Sequence, residues 1–264
     1  IDSDIAPVPQ APVTQPAVGK GRLVKVETPV LEVWIDLLGG DIARVQLPTY
    51  PISLEQPDTP FLLMDRSASR TYIAQSALIG SDGIDKTGAR PLYEAASDSL
   101  TLTEGRELVL TTTLDDARVS KIFAFEPDSH LINIRYEVVN LATRSKTMRL
   151  LTQIKRDRLP PPTDETVPLA PSPYLGGALT TPDNNYKKVD FDDLDEGNFQ
   201  ASAIGGWMAF LQHYFLTAWV APSDQATNYL ARKTSDGFYL FGFTGQNQSI
   251  QPGATGIWRA DFYA

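Results

Sequence analysis

An all-β sandwich built as one large domain is the fold class this sequence predicts, on three observations. Hydrophobic and polar residues alternate in runs of about five to nine residues, turn signals separate the runs, and no segment keeps apolar spacing of three and four over three helical turns. The 18 glycines and 20 prolines among 264 residues break the chain too often for long helices. Sandwiches of about 200–250 residues fold as single units, so length does not demand a second domain.

The elements follow in order. Residues 1–20 are rich in proline (Pro7, Pro9, Pro12, Pro16), carry no aromatic residue and show no period, which predicts an extended tether ahead of a domain spanning 21–264. In LEVWIDL, Leu31, Val33, Ile35 and Leu37 alternate with Glu32, Trp34 and Asp36, predicting a strand with the second set outward, ended by the turn Gly39-Gly40-Asp41. SLTLT (99–103) and ELVLT (107–111) read the same way. LINIRYEVV (131–139) puts Ile132, Ile134, Tyr136 and Val138 on one face and Asn133, Arg135 and Glu137 on the other. Gly176-Gly177 reads as another tight turn.

GGWMAFLQHYFLTAWVAP (205–222) is the most apolar stretch. Its fifteen residues from Trp207 to Ala221 are interrupted by Gln212, His213 and Thr217. A bilayer span needs about 20 apolar residues, so the segment belongs in a core. We expect a strand over Trp207–Leu211, a helical turn near Gln212–Phe215 and a second strand over Leu216–Val220.

Charge and composition exclude several functions. The net charge is −9, the pI about 4.7, and the 23 Lys and Arg form no run longer than two. Nucleic acid binding needs a clustered basic surface, and anionic lipid head groups are equally disfavoured. The absence of cysteine rules out a thiolate nucleophile, disulfides and a cysteine zinc site. A first residue of Ile1 in place of Met suggests a fragment or a processed chain.

GGWMAFLQHYFLTAW followed by proline, together with PFLLMD (60–65), TYIAQSALIG (71–80), RPLY (90–93) and SPYLGGALTTPDNNYKKVDFDDL (172–194), resembles the large periplasmic domain of the bacterial YidC membrane insertase, from about Gly21 to Tyr263. QPGATG (251–256) is similar to that family's last β turn, and the proline-rich start to the linker after its first membrane helix. The resemblance implies a twisted β super-sandwich like the galactose mutarotase fold, at the periplasmic face of the inner membrane of a Gram-negative bacterium. It also implies a parent that inserts and folds membrane proteins, alone or beside the Sec translocon, with the Sec accessory subunits SecD/SecF and nascent membrane proteins as partners. The domain itself is expected to be a monomer without cofactor or catalysis. The sequence stops at Ala264, where the family continues into a short helix, an interfacial helix and a second span, and the family's insertion groove lies in that membrane part.

Because the implied fold also hosts sugar epimerases and carbohydrate-binding modules, a sugar-binding or mutarotase-like domain is the alternative, and the residues must decide. Mutarotation needs an acid and a base across a sugar ring, commonly His with Glu or Asp. Only His130, in the turn EPDSHL, and His213, between aromatics, are available, and solvation and packing explain them better. The acidic run DFDDLDEGN (190–198) fails the EF-hand register, with Leu194 at position five counted from Asp190, so it reads as a solvated acidic loop. No G-x-S-x-G elbow or phosphate-cradling loop is present. Two surfaces remain as candidate contacts for a partner, peptide or sugar. One is the proline-rich loop 156–174 with Pro160, Pro161 and Tyr174; the other is the aromatic set Trp207, Tyr214, Phe215 and Trp219, for which core packing is the stronger reading.

Overall fold

The computed structural model describes residues 22–86, 89–102, 106–161, 174–181, 184–212 and 214–264. The expected tether over 1–20 with the domain boundary at Gly21, His213, and residues 162–173 of the proline-rich loop lie outside them.

The strands, in chain order, are β1 (Leu23–Glu27), β2 (Glu32–Asp36), β3 (Asp41–Ser53), β4 (Gln56–Arg66), β5 (Thr71–Ile79), β6 (Glu94–Ala95), β7 (Ser99–Thr101), β8 (Arg106–Leu114), β9 (Ala117–Phe125), β10 (Leu131–Asn140) and β11 (Lys146–Arg156). After these come β12 (Gly176–Thr181), β13 (Asn184–Val189), a short helix α1 (Phe191–Glu196), β14 (Phe199–Ile204), β15 (Trp207–Gln212), β16 (Phe215–Val220), β17 (Ala226–Lys233), β18 (Tyr239–Thr244), β19 (Gln248–Ile250) and β20 (Thr255–Tyr263). They form two sheets. The larger runs β14-β17-β18-β11-β5-β4-β3-β2-β1-β7, with β19 also on β11, and the smaller runs β13-β12-β15-β16-β20-β10-β9-β8-β6. Among the described residues no helix is long and apolar enough to cross a membrane.

Period-two alternation makes the sandwich. In β10, Ile132, Ile134, Tyr136 and Val138 are all within a few per cent of full burial and face the interior, as the sequence predicts. From the other sheet, Tyr72, Ala74 and Leu78 of β5 and Met148, Leu150 and Ile154 of β11 join them in one core. The buried hydroxyls pair across the sandwich: Tyr72 with Thr217 at 2.7 Å, and Ser76 with Tyr136 at 3.1 Å. At one end of β11 the buried Arg156 guanidinium lies 4.4 Å from the Tyr72 ring and 4.3 Å from the Phe210 ring, and donates to Gln212 Oε1. Burial pulls its pKa down to about 10.

Four local expectations are corrected. Asp36 is not an outward polar residue but is buried, because Arg22 holds it through both carboxylate oxygens and Arg66 binds it as well. Burial alone would raise its pKa, but the two guanidiniums hold it below the usual carboxylate range. Gly176 and Gly177 form no turn; they open β12 inside the sheet, and a Cβ on Gly177 would stand 2.1 Å from Phe241 Cε1. Glycine there makes room for a ring. The expected helical turn at Gln212–Phe215 is a tight hairpin turn instead, since Gln212 pairs directly with Phe215 and the strands run on to meet it. The acidic run folds into α1, pinned by the buried Phe191 and Leu194. The acids themselves stay exposed, as expected: Asp195 accepts from Tyr239 Oη and Lys233 Nζ, each at 2.8 Å, and Arg158 binds Asp192 and Asp195 at the surface.

Gly39-Gly40 is the tight turn expected, with φ of 81° and 64°. Its glycines also leave space: a Cβ on Gly39 would lie 2.3 Å from Arg90 Cζ, and one on Gly40 would lie 2.7 Å from Lys121 Cδ. Lys121, fully buried on β9, reaches across the sandwich and donates to the carbonyls of Gly39 at 3.0 Å and Gly40 at 2.7 Å. Arg90 beside it bonds Asp41 and Asp85 and donates to the carbonyls of Gly39 and Ser76. Burial draws the Lys121 pKa from 10.5 down to about 7, against the pull of Asp41. Between those two values the unfolded chain holds a proton that the folded chain has lost, so stability rises with pH across this window and is flat below it. We predict that the unfolding free energy of the wild type, relative to Lys121→Met, rises by roughly 1.4 kcal/mol per pH unit from pH 7.5 to 9.5 in urea titrations. A difference that does not change with pH would mean that the buried ammonium keeps its charge.

Candidate interaction surface

The larger sheet has a second face, turned away from the smaller sheet, and its side chains are unusually enclosed. Odd-numbered residues of β5 and β11 point there. Register places Asn228, Thr244, Leu151 and Ala77 side by side across β17, β18, β11 and β5. The next row is Leu230, Gly242, Gln153 and Gln75, and the third is Arg232, Leu240, Lys155 and Ile73. Ala77, Leu151 and Leu240 are at most 2% exposed, although none belongs to the main core; Ala77, Leu151 and Ile79 form a small cluster of their own. At the centre of this apolar floor Gly242 is obligatory, because a Cβ would lie 1.9 Å from the Thr152 carbonyl oxygen.

Cations rim the floor. Lys155 Nζ lies 4.1 Å from the Phe238 ring centroid and 3.5 Å from Asp236, and Arg149 sits in register with Ile79. Nε and Nη2 of Arg232 are buried and find no hydrogen-bond acceptor among the described residues, and the same holds for Arg44 Nε. Arg44 stands 5.2 Å from the Trp34 ring farther along this face, with Lys25 on the same ring at 4.9 Å. Burial lowers the pKa of both Lys155 and Arg232, with Asp236 opposing it. The unmet nitrogens of Arg232 and Arg44 have almost no accessible surface, so a ligand oxygen meets only the exposed part of each half-buried guanidinium. Apolar floor and cationic rim together suit a hydrophobic chain segment with acidic or carbonyl groups beside it.

The residues singled out from the sequence are spread over several places. Pro160 is exposed, and its carbonyl accepts from Arg70 Nη1 at 2.9 Å; Pro161 follows it as the last residue described before 162. Tyr174 donates to the Gly177 carbonyl at 2.8 Å, and burial beside Asp190 raises its pKa. The four aromatics do not form one groove. Trp219 is 1% exposed and packs on Phe262; Trp207 is half-buried next to Tyr186. Phe215 stacks on Phe61 at 4.2 Å and meets Tyr50 edge-on. Tyr214 is 88% exposed in the hairpin turn, with φ of 66°. His130 is half-buried between Tyr50 and Tyr263. Sequence reasoning missed the second face because it seeks one buried face per strand. The available signal was the continuous apolar run YLFGFT of β18, in which both faces are buried.

Comparison with known proteins identifies the family. The model of the YidC periplasmic domain matches residues 23–264. The chain belongs to the YidC periplasmic domain family. A relative named membrane protein insertase YidC from Cellvibrio japonicus is 41% identical over 249 residues, covering 93% of this chain and 45% of the relative. One of the same name from Stutzerimonas stutzeri is 39% identical, covering 92% and 44%. The chain thus spans a little under half the length of these YidC proteins. Among solved structures, a galactose mutarotase-like protein from Lactobacillus casei superposes with a TM-score of 0.57 at 10% identity, covering 91% of this chain and 99% of that one. A galactose mutarotase related enzyme from Lactobacillus acidophilus gives 0.56, also at 10%, over 91% and 96%. At that identity the likeness shows the fold alone: this YidC periplasmic domain has the mutarotase-type sandwich, and the sugar-binding alternative draws nothing further from it.

Two substitutions test this geometry. Gly242→Ala should destabilise the domain by about 3 kcal/mol or more, read from urea midpoints, because the new methyl group meets backbone that has no room to move. Tyr214→Asn should stabilise it by about 1 kcal/mol, read from thermal unfolding, because asparagine tolerates the left-handed conformation better than tyrosine does.

Proposed function

We propose that the chain is the large periplasmic interaction domain of an inner-membrane insertase of a Gram-negative bacterium. The parent inserts and folds membrane proteins with or without the Sec translocon, and the domain assists as a non-catalytic, chaperone-like docking unit. Its partners on this reading are nascent membrane proteins and the accessory subunits SecD/SecF, and residues 1–20 tether it to the membrane. One observation supports docking in particular: on a chain of net charge −9, the second face of the larger sheet combines an apolar floor with Arg44, Arg149, Lys155 and Arg232. Segments translocated to the periplasm are poor in Lys and Arg. Beside an apolar stretch they therefore present carbonyls and acids, which match the positive charge of this face.

The test is photo-crosslinking in the full-length parent during synthesis of a membrane-protein client. A photoreactive residue replacing Asn228, exposed on this face, should give adducts with the nascent chain or with SecD/SecF, whereas one replacing Thr113 on the smaller sheet should not. Adding Arg232→Glu should lower the Asn228 adduct yield about fivefold, the equivalent of losing roughly 1 kcal/mol of charge contact. Equal adducts from both positions, or none from Asn228, would exclude this face as the docking surface.

A further inference from the structure

The open ends of the two sheets are not alike. The larger sheet ends on β14 and β7, and the smaller on β13 and β6. An unpaired edge offers a row of backbone donors and acceptors to any other strand, and proteins blunt such edges by shortness, charge or irregular register. β7 has three residues and β6 has two. β13 carries Lys187 and Lys188 and shifts register against β12. β14 has none of these devices. Its sequence FQASAI runs for six residues without a charge, a proline or a break in its pairing with β17, and its Ile204 is 72% exposed.

The phase of the hydrogen bonds shows which groups face outward. Gly205 N–H donates to the Gln225 carbonyl at 2.9 Å, so the residues of β14 that bond β17 are those in the same phase, Ala203, Ala201 and Phe199. β17 gives the same answer from its other side. Thr234 N–H donates to the Phe238 carbonyl, which commits Arg232, Leu230 and Asn228 to β18 and leaves Ala231, Tyr229 and Thr227 for β14. Gln200, Ser202 and Ile204 therefore turn N–H and C=O away from the sheet at a repeat of about 6.8 Å. All three residues are exposed, and no described strand pairs with them on that side. The partner that repeats donors and acceptors at this spacing is an extended polypeptide backbone.

Charge distinguishes the two ends of the edge. Lys187 Nζ lies 4.8 Å from the ring of Phe199, where β14 starts, and has no carboxylate partner among the described residues. An antiparallel strand laid on β14 reaches Phe199 with its C-terminal end, where an acid meets that ammonium group. Two copies of this chain, each of net charge −9, repel one another, which makes a second copy the poorer occupant.

We propose that β14 takes up an extended segment of a partner polypeptide as an added antiparallel strand, uncharged along the edge and acidic at its C-terminal end. The backbone groups of Gln200, Ser202 and Ile204 hold it, and Lys187 selects its end. The strand uses the edge of the larger sheet and not its cationic second face, so the proposal does not rest on that reading.

The test uses the 264-residue chain labelled with ¹⁵N, with no client and no SecD/SecF present, so its outcome is independent of crosslinking at Asn228. The probe is the acetylated and amidated peptide TVTVTE. It should move the amide resonances of Gln200, Ser202 and Ile204 saturably and slow their hydrogen exchange at least tenfold. A peptide methylated on two adjacent amides, so that each side of its strand has lost a donor, should not. Lys187→Glu, at an exposed position, should weaken TVTVTE about fivefold and leave the TVTVTQ peptide unchanged. Amides at 200, 202 and 204 that never move, equal shifts from the methylated peptide, or an unchanged affinity in Lys187→Glu would overturn the proposal. Protection of the same amides on concentrating the chain without peptide would overturn it in favour of a second copy.

Discussion

A lysine carried across the sandwich holds the turn that joins β2 to β3 in the larger sheet. Lys121 belongs to β9 of the smaller sheet, but its ammonium ends on the carbonyls of Gly39 and Gly40 between β2 and β3. Asp41, the first residue of β3, and Asp85 bind Arg90 next to it, so the lysine, the arginine and two carboxyl groups share one interior site. Removing Arg90 leaves two buried carboxyl groups without their ion-pair partner, and such losses weigh several kcal/mol. The arrangement also reaches outward. Asp41 accepts from Gln75 at 2.7 Å, and Gln75 accepts from Gln153 at 2.9 Å. These two glutamines lie in the central row of the second face, so the interior charges and the floor of the candidate surface are one hydrogen-bonded assembly.

This explains which parts of the fold were legible in the sequence. Strands that bury one face, such as β10 with Ile132, Ile134, Tyr136 and Val138, declare themselves by alternation. The apolar run over 207–221 also showed the hairpin of β15 and β16, apart from its turn, where a left-handed Tyr214 replaces the helical geometry expected. Long-range pairing is what alternation does not encode. Asp36 has the position of an outward residue, and only the approach of Arg22 and Arg66 from distant parts of the chain allows its burial. Gly177 looks like turn chemistry until Phe241, brought in by another strand, is seen to occupy the space of its missing side chain. The acidic run has no helical pattern beyond Phe191 and Leu194, and two buried side chains plus basic partners at positions 158 and 233 suffice to wind it.

The candidate surface was less legible than the fold, for a related reason. Aromatic side chains attract attention as binding groups, yet here Trp219 is core, Phe215 is held by Phe61 and Trp207 is half-buried, so that Tyr214 alone of the four is largely exposed. The second face is assembled from Ile73, Ala77, Leu151 and Leu240, ordinary strand residues whose relation appears only once four strands are in register. Its cations were counted in the sequence only as scattered. Scattered along the chain, they are gathered by the sheet. Family membership was the part best carried by local motifs, because it depends on many short stretches in order and not on their contacts.

Net charge and local charge act at different distances, and the proposed role depends on both. A chain of net charge −9 is repelled as a whole from an anionic lipid surface. At physiological ionic strength that repulsion and any attraction fade over about 8 Å. Arg232 and Lys155 are therefore felt only by a segment already at the face, where the apolar floor removes water and strengthens the contact. On the proposed reading, the tether sets where the domain waits, the overall charge decides what it avoids, and the second face decides what it holds.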